Sequence, residues 1–335
     1  MSEVDGGDAF YVLDRPCVLG EGPIYRASDS TLHYVDCIHD PPQLHILSVD
    51  PETGEALQPG VKLAESSTEK TNKSKPGLRV LDLEDSVTVM AFRKNVPKSY
   101  ICLYYQGFAF MDEETGRLDV LKEVIPKEER HVRRFNDGGV DPAGRFWGAE
   151  IDVRGLSYGR NNLPSDHGKP CGRLWRYDPD GTLTQMEDGL VCGNGIGWSP
   201  DKKTMYLHDS CAQYIYAYDY DNATGDISNK RVLRCFIGTP HEPDGMVVDS
   251  EGNIWVAMFG GHCVMVLDPQ GNTIKTIKAP ARNMACTTWG GKNHNIIYAV
   301  SAYDKTPNRD PSDQGGHLFK YHVDAQGQPK YEFAG

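Results

Sequence analysis

The chain has 335 residues, 39% hydrophobic, 24% charged and 10% aromatic, with 35 glycines. No apolar run nears the ~20 residues needed to span a bilayer, and a net charge of −12 disfavours nucleic acid and anionic membrane as partners, since both require a basic face. A small neutral or metal-bound ligand fits this charge, because a focused acidic site favours cations.

The start, "MSEVDGGDAF", lacks the basic-then-apolar pattern of a secretory leader, and the expected location is the cytoplasm. The nine cysteines are scattered, with no CxxC. They read as small buried thiols in a reducing compartment rather than as a zinc–thiolate site.

In chain order, the strand-like "AFYVLDRPCVL" comes first, then "GEGPIYRASDSTLHYVD" from Gly20. The second segment sets a pattern: a polar side chain beside glycine, a short strand, a turn, and an aromatic-bearing strand. Residues 64–78, "AESSTEKTNKSKPGL", are polar and read as an insertion. A degenerate copy starts at Ser86 ("SVTVMAFRKNVPKSYICLYYQGFAFMDEETG") and a full one at Asn136 ("NDGGVDPAGRFWGAE"). A Gly/Pro/Asn-rich loop, 153–170, follows.

"RLWRYDPDGTLTQME" alternates apolar and polar residues around a hairpin signal, as do "YIYAYDYDNATGDISNKRVLRCF" and "VMVLDPQGNTIKTIKAP". Further copies of the pattern start at Gly193 ("GNGIGWSPDKKTMYLHDS") and Pro243 ("PDGMVVDSEGNIWVAMF"). A last one, "ACTTWGGKNHNIIYAVSA" from Ala285, lacks the polar–Gly start.

Six units of short strands and Gly/Asp/Pro turns, with no amphipathic helix of useful length, predict an all-β chain: one six-bladed β-propeller domain over residues 1–335. Pairing of the N-terminal strand with the closing "GGHLFKYHV" would complete the ring. Trp147, Trp175, Trp198, Trp255 and Trp289 recur at blade spacing and read as core between blades.

The polar heads of the repeats are Glu21, Asn136, Asn194 and Asp244, spaced 115, 58 and 50 residues apart. In a propeller the first strand of each blade lines the channel, so these heads would converge. Taken singly, an Asp, Asn or Glu beside glycine is more often a turn residue. Their recurrence in register favours a shared oxygen-rich site for a divalent ion, Ca²⁺, Mg²⁺, Mn²⁺ or Zn²⁺. An ion would also relieve the repulsion between the two carboxylates.

The stretches "LGEGPIY", "RFNDGGVDPAGRFWGA", "NGIGWSPDKKTMYLHDS", "EPDGMVVDSEGNIWVAMFGGHCVMVLDPQG" and "TTWGGKNHNIIYAVSA" resemble the gluconolactonase, regucalcin (senescence-marker-protein) and luciferin-regenerating-enzyme family of six-bladed propellers. The resemblance spans nearly the whole chain. It implies a lactonase-type hydrolase with one divalent metal, a small-molecule lactone as substrate, Glu21, Asn194 and Asp244 as metal ligands, and Arg134 and Asn136 as substrate contacts. Residue types and spacing alone would leave Arg134 in an exposed "HVRR" cluster.

One departure stands out. Some sugar lactonases of the family carry a sugar-binding glutamate where this chain has Arg154, which puts the usual aldonolactone preference in doubt and makes Arg154 a candidate substrate contact. Asp244 is the candidate general base, with Asp209 a second choice. His208 has no serine partner in a nucleophile motif, which argues against a triad. The alternatives are a phosphotriesterase- or arylesterase-like hydrolase, or a non-catalytic metal-binding propeller, because fold alone does not determine function. Composition and spacing leave the oligomeric state open.

Overall fold

The computed structural model describes residues 2–58, 60, 77–156 and 163–335. Among them, helix is confined to one α-turn, Val153–Leu156, and one 3-10 turn, Lys127–Glu129. Among the described residues no helix is long and apolar enough to cross a membrane. Most of the 64–78 stretch and the middle of the 153–170 loop lie outside the described residues.

The described strands form six sheets of up-and-down strands, the blades of a β-propeller. The chain divides into two compact units, Met1–Ser86 with Asp249–Pro329, and Val87–Val248 with Lys330–Gly335.

In the first unit, one sheet runs Gly20–Arg26, Thr31–Asp36, Gln43–Ser48, Leu78–Asp82, each strand antiparallel to the next. A second runs Asn283–Gly290, Ile296–Ala302, Phe319–His322. The expected closure by the N-terminal segment is made here by a single bridge. Phe10 N–H donates to Leu318 O at 3.0 Å, and Leu318 N–H donates to Tyr11 O at 3.2 Å. Residues Ser2–Asp5 add a pairing with no signal in the sequence, lying parallel to Thr273–Lys278.

In the second unit, three sheets begin at Val87–Arg93, Arg133–Val140 and Gly193–Trp198, and the strand Glu242–Val248 follows. The C-terminal tail belongs to this unit. Phe333 N–H bonds to Phe92 O at 2.9 Å, and the Phe333 ring is 1% exposed, packed on Tyr177 and Phe110.

The repeated D-x-x-G-x-x-W stretch explains why the first two strands of a blade pair. In "DPAGRFW", Asp141 Oδ1 accepts the backbone N–H groups of Ala143 and Arg145 and so shapes the turn, while Oδ2 accepts Trp147 Nε1–H at 3.1 Å. In "DSEGNIW", Asp249 repeats this with Glu251, Asn253 and Trp255. One carboxylate thus builds the turn and satisfies a buried indole. The tryptophans then pack as expected, Trp147 against Trp198 and Trp255 against Trp289. Trp175 differs: it is half-buried and donates to Glu150. All nine cysteines are free, seven of them buried, with Cys171 half-buried and Cys235 exposed.

Candidate functional site

The first strands of the second unit lie side by side in chain order: Val87–Arg93 beside Arg133–Val140, that strand beside Gly193–Trp198, and that beside Glu242–Val248. Their heads therefore approach one another, although Asn136, Asn194 and Asp244 are far apart in sequence. Glu21 is at the corresponding head of Gly20–Arg26 in the first unit, where it is half-buried.

Three of the four polar heads, Glu21, Asn136 and Asn194, fall at or beside a β-bulge. The register against the second strand slips between Glu21 and Ile24, between Phe135 and Gly138, and between Gly193 and Ile196. A bulge breaks the strict alternation of faces and re-aims a side chain. The same slip occurs between Val87 and Val89. This puts Thr88, buried with no hydrogen-bond partner for its hydroxyl among the described residues, in the position that Asn136 and Asn194 hold in their sheets. No polar–Gly signal marks Thr88 along the chain; the alignment of "SVTV" with the other repeats is the available clue.

Asn194 is 5% exposed, and its Oδ1 is buried with no hydrogen-bond partner among the described residues. Its Nδ2 donates to Ser210 Oγ at 3.0 Å, and Ser210 Oγ donates to Pro243 O at 2.6 Å. His208 Nδ1–H donates to the Asp244 carbonyl at 2.5 Å. The Asn194 and Asp244 strands are thus stitched together at their heads. A Cβ at Gly195 would lie 2.5 Å from Asp244 O and 2.8 Å from His208 Nδ1, so glycine is required for this approach. His208 is fully buried, and burial depresses its pKa to about 4, which keeps the ring neutral. Asp244 is 5% exposed.

Asn136 is half-buried, and its Nδ2 donates to Gly193 O at 3.0 Å. Asp137, next in the bulge, is buried, and that burial raises its pKa to about 6. Arg134 is half-buried, with its guanidinium 4.6 Å above the Tyr105 ring and Nη1 donating to Phe135 O at 3.2 Å. Arg134 and Asn136 share a strand, and Asn136 reaches Gly193, the residue before Asn194. Arg154, on the Val153–Leu156 turn, is instead drawn onto Asp152, Nε to Oδ1 at 3.0 Å and Nη2 to Oδ2 at 2.8 Å.

Asp209, the second candidate base, has both oxygens committed to backbone: Oδ2 accepts Val191 N–H and Oδ1 accepts Cys192 N–H. Burial raises its pKa, and these bonds partly offset the rise. Asp36 does the same for Val18 and Leu19 in the first unit. Both clasps hold the lead-in to a first strand and so place Asn194 and Glu21.

Among the described residues no three His, Cys, Asp or Glu side chains cluster as a metal site. The heads of the second unit are instead amide-rich, and they supply oxygen donors only. That chemistry, with a buried amide oxygen lacking a partner, fits a hard divalent cation.

The family described as the SMP-30/gluconolactonase/LRE-like region matches residues 19–303. Over 332 residues, and 96% of each chain, the sequence is 30% identical to the pentonolactonase XacC of Haloferax volcanii. It is 29% identical to regucalcin of Oryctolagus cuniculus over 330 residues, 97% of each. The solved structure of a calcium-binding protein, regucalcin, from Agrobacterium tumefaciens superposes with a TM-score of 0.78 over 99% of both chains, at 20% identity.

Proposed function

The chain belongs to the SMP-30/gluconolactonase/LRE-like family, and we propose that it is a divalent-metal-dependent lactonase that opens a small lactone to its hydroxy acid. The observation that carries this reading is the Asn194 Oδ1, buried and without a hydrogen-bond partner among the described residues, on the strand beside Asp244. Lactonase names among the relatives support the reaction class.

In this reading Asn194 and Asp244 hold the ion, and the family resemblance adds Glu21. When bound, the ion supplies Lewis-acid polarisation of the ester carbonyl and lowers the pKa of water. Arg134 and Asn136 orient the ring oxygens of the lactone. Arg134 makes no ion pair among the described residues, and the donors other than Nη1, which bonds Phe135 O, are open to a substrate oxygen. Asp244 is the proposed general base that accepts the proton of the attacking water. It is preferred to Asp209, whose carboxylate is already engaged by two backbone amides. Arg154 is proposed as a peripheral contact that shapes which lactone is accepted.

The test is a pH-stat assay of metal-stripped protein on aldono-1,4- and 1,5-lactones, with Ca²⁺, Zn²⁺, Mn²⁺ or Mg²⁺ restored singly. Hydrolysis is expected only with metal restored, and is expected to vanish in Asp244→Ala. Full activity of the stripped protein removes the metal from the reading. Inactivity on every lactone, with aryl esters cleaved, replaces it with the esterase alternative.

A further inference from the structure

Ser210 is 4% exposed and sits one residue past the Asp209 clasp. Its backbone is fixed on both sides, since Ser210 N–H donates to Cys192 O at 3.0 Å and Ser210 O accepts Gln213 N–H at 2.9 Å. A serine hydroxyl has one proton to donate. Here that proton faces the Pro243 carbonyl at 2.6 Å, and a carbonyl oxygen can only accept. Toward Asn194, 3.0 Å away, Ser210 Oγ is therefore an acceptor, and only the NH₂ end of the amide can meet it.

The relay decides which way round the Asn194 side chain lies. With Nδ2 held by Ser210, Oδ1 is turned away, and Oδ1 is the atom left buried with no partner among the described residues. Reversal of the amide would set two acceptors against each other at Ser210 and present donors where a cation needs an oxygen. Pro243 is the residue before Asp244, so the same hydroxyl also ties the lead-in of the neighbouring head.

We propose that Ser210 is a positioning residue for divalent-ion binding, which orients the Asn194 amide so that its oxygen faces the ion. This rests on the reading of Asn194 as a ligand. Ser210 does not touch the ion itself. Partners that orient a metal ligand typically contribute 10–100-fold in affinity.

Isothermal titration calorimetry of the full chain with CaCl₂ and with MnCl₂ tests this without reference to activity. Asn194→Ala should abolish binding. Ser210→Ala should weaken it by about tenfold, the lower end of that range. Ser210→Thr, which keeps the hydroxyl, should bind within a few-fold of wild type. A circular-dichroism melt of each metal-free variant establishes that it is folded.

If Asn194→Ala loses the ion while Ser210→Ala binds like wild type, the positioning role is overturned and the ligand reading stands. Ser210→Thr weakened as much as Ser210→Ala also overturns the role, because the hydroxyl is then not the deciding group. Unchanged binding in Asn194→Ala, or no divalent uptake by the wild type, overturns both.

Discussion

The Arg154 guanidinium lies bidentate on Asp152, at 3.0 and 2.8 Å, and the same carboxylate accepts His167 Nε2 at 3.0 Å and the Cys171 N–H at 3.1 Å. One aspartate thus gathers both arms of the 153–170 loop. Burial alone would raise its pKa, but the bonds from Arg154, His167 and Cys171 hold it well below the usual carboxylate range. A depressed carboxylate pKa stabilises the fold above the unfolded value near 3.9, and that contribution is lost as pH falls below it. Asp152→Asn should therefore lower the urea midpoint at pH 7, with a cost on the order of 2 kcal/mol for donors left poorly matched. The difference from wild type should shrink as titrations move below about pH 4. Arg154→Ala should alter KM among lactones while leaving divalent-ion affinity unchanged, as measured by calorimetry.

Arg134 rests on the Tyr105 ring, and the Tyr105 carbonyl accepts the Phe135 N–H at 3.0 Å. The ring face attracts the guanidinium by about 0.5–2 kcal/mol. Tyr105→Leu should raise KM for the lactone several-fold with little change in kcat, and Tyr105→Phe should retain wild-type values. Steady-state kinetics on the two variants checks this. A lowered kcat at unchanged KM would contradict the assignment.

Phe333 anchors the C-terminal tail in a core shared with Phe108, Phe135 and Tyr177. Phe333→Ala should destabilise the protein by ~3 kcal/mol through lost burial and the cavity left behind. The readout is the urea midpoint at unchanged slope.

Burial lowers the pKa of His45 to about 3 and of His208 and His317 to about 4. Between the unfolded value near 6.5 and these folded values, the unfolded chain binds protons that the folded chain does not. Stability is therefore full above about pH 6.5 and falls as pH is lowered toward 4. His208→Gln should flatten this slope by about one proton's worth, measured as unfolding free energy against pH. Unaltered pH dependence in that variant would contradict a neutral buried His208.

Much of the fold was legible along the chain. Hairpin turns, the D-x-x-G-x-x-W unit and the alternation of each strand are local, because a turn residue acts on backbone two to four positions away, as Asp141 does on Ala143 and Arg145. The polar heads at Glu21, Asn136, Asn194 and Asp244 were legible for a related reason: the repeat carries the same position into each blade.

What tertiary structure alone decided lies where distant strands meet. The bulges at Glu21, Asn136 and Asn194 set the aim of those heads, and they are seen only in the register against the second strand. Thr88 joined the set of heads by register rather than by residue type. Asp209 is the second candidate general base in the sequence, and only the fold shows its two oxygens accepting the amides of Val191 and Cys192. The bond from Ser210 to Pro243 joins residues 33 apart, and the direction of its one proton determines which atom of Asn194 is offered to a ligand. Residue types in sequence supply donors and acceptors; which of them face one another depends on register across strands, and that register exists only in the folded chain.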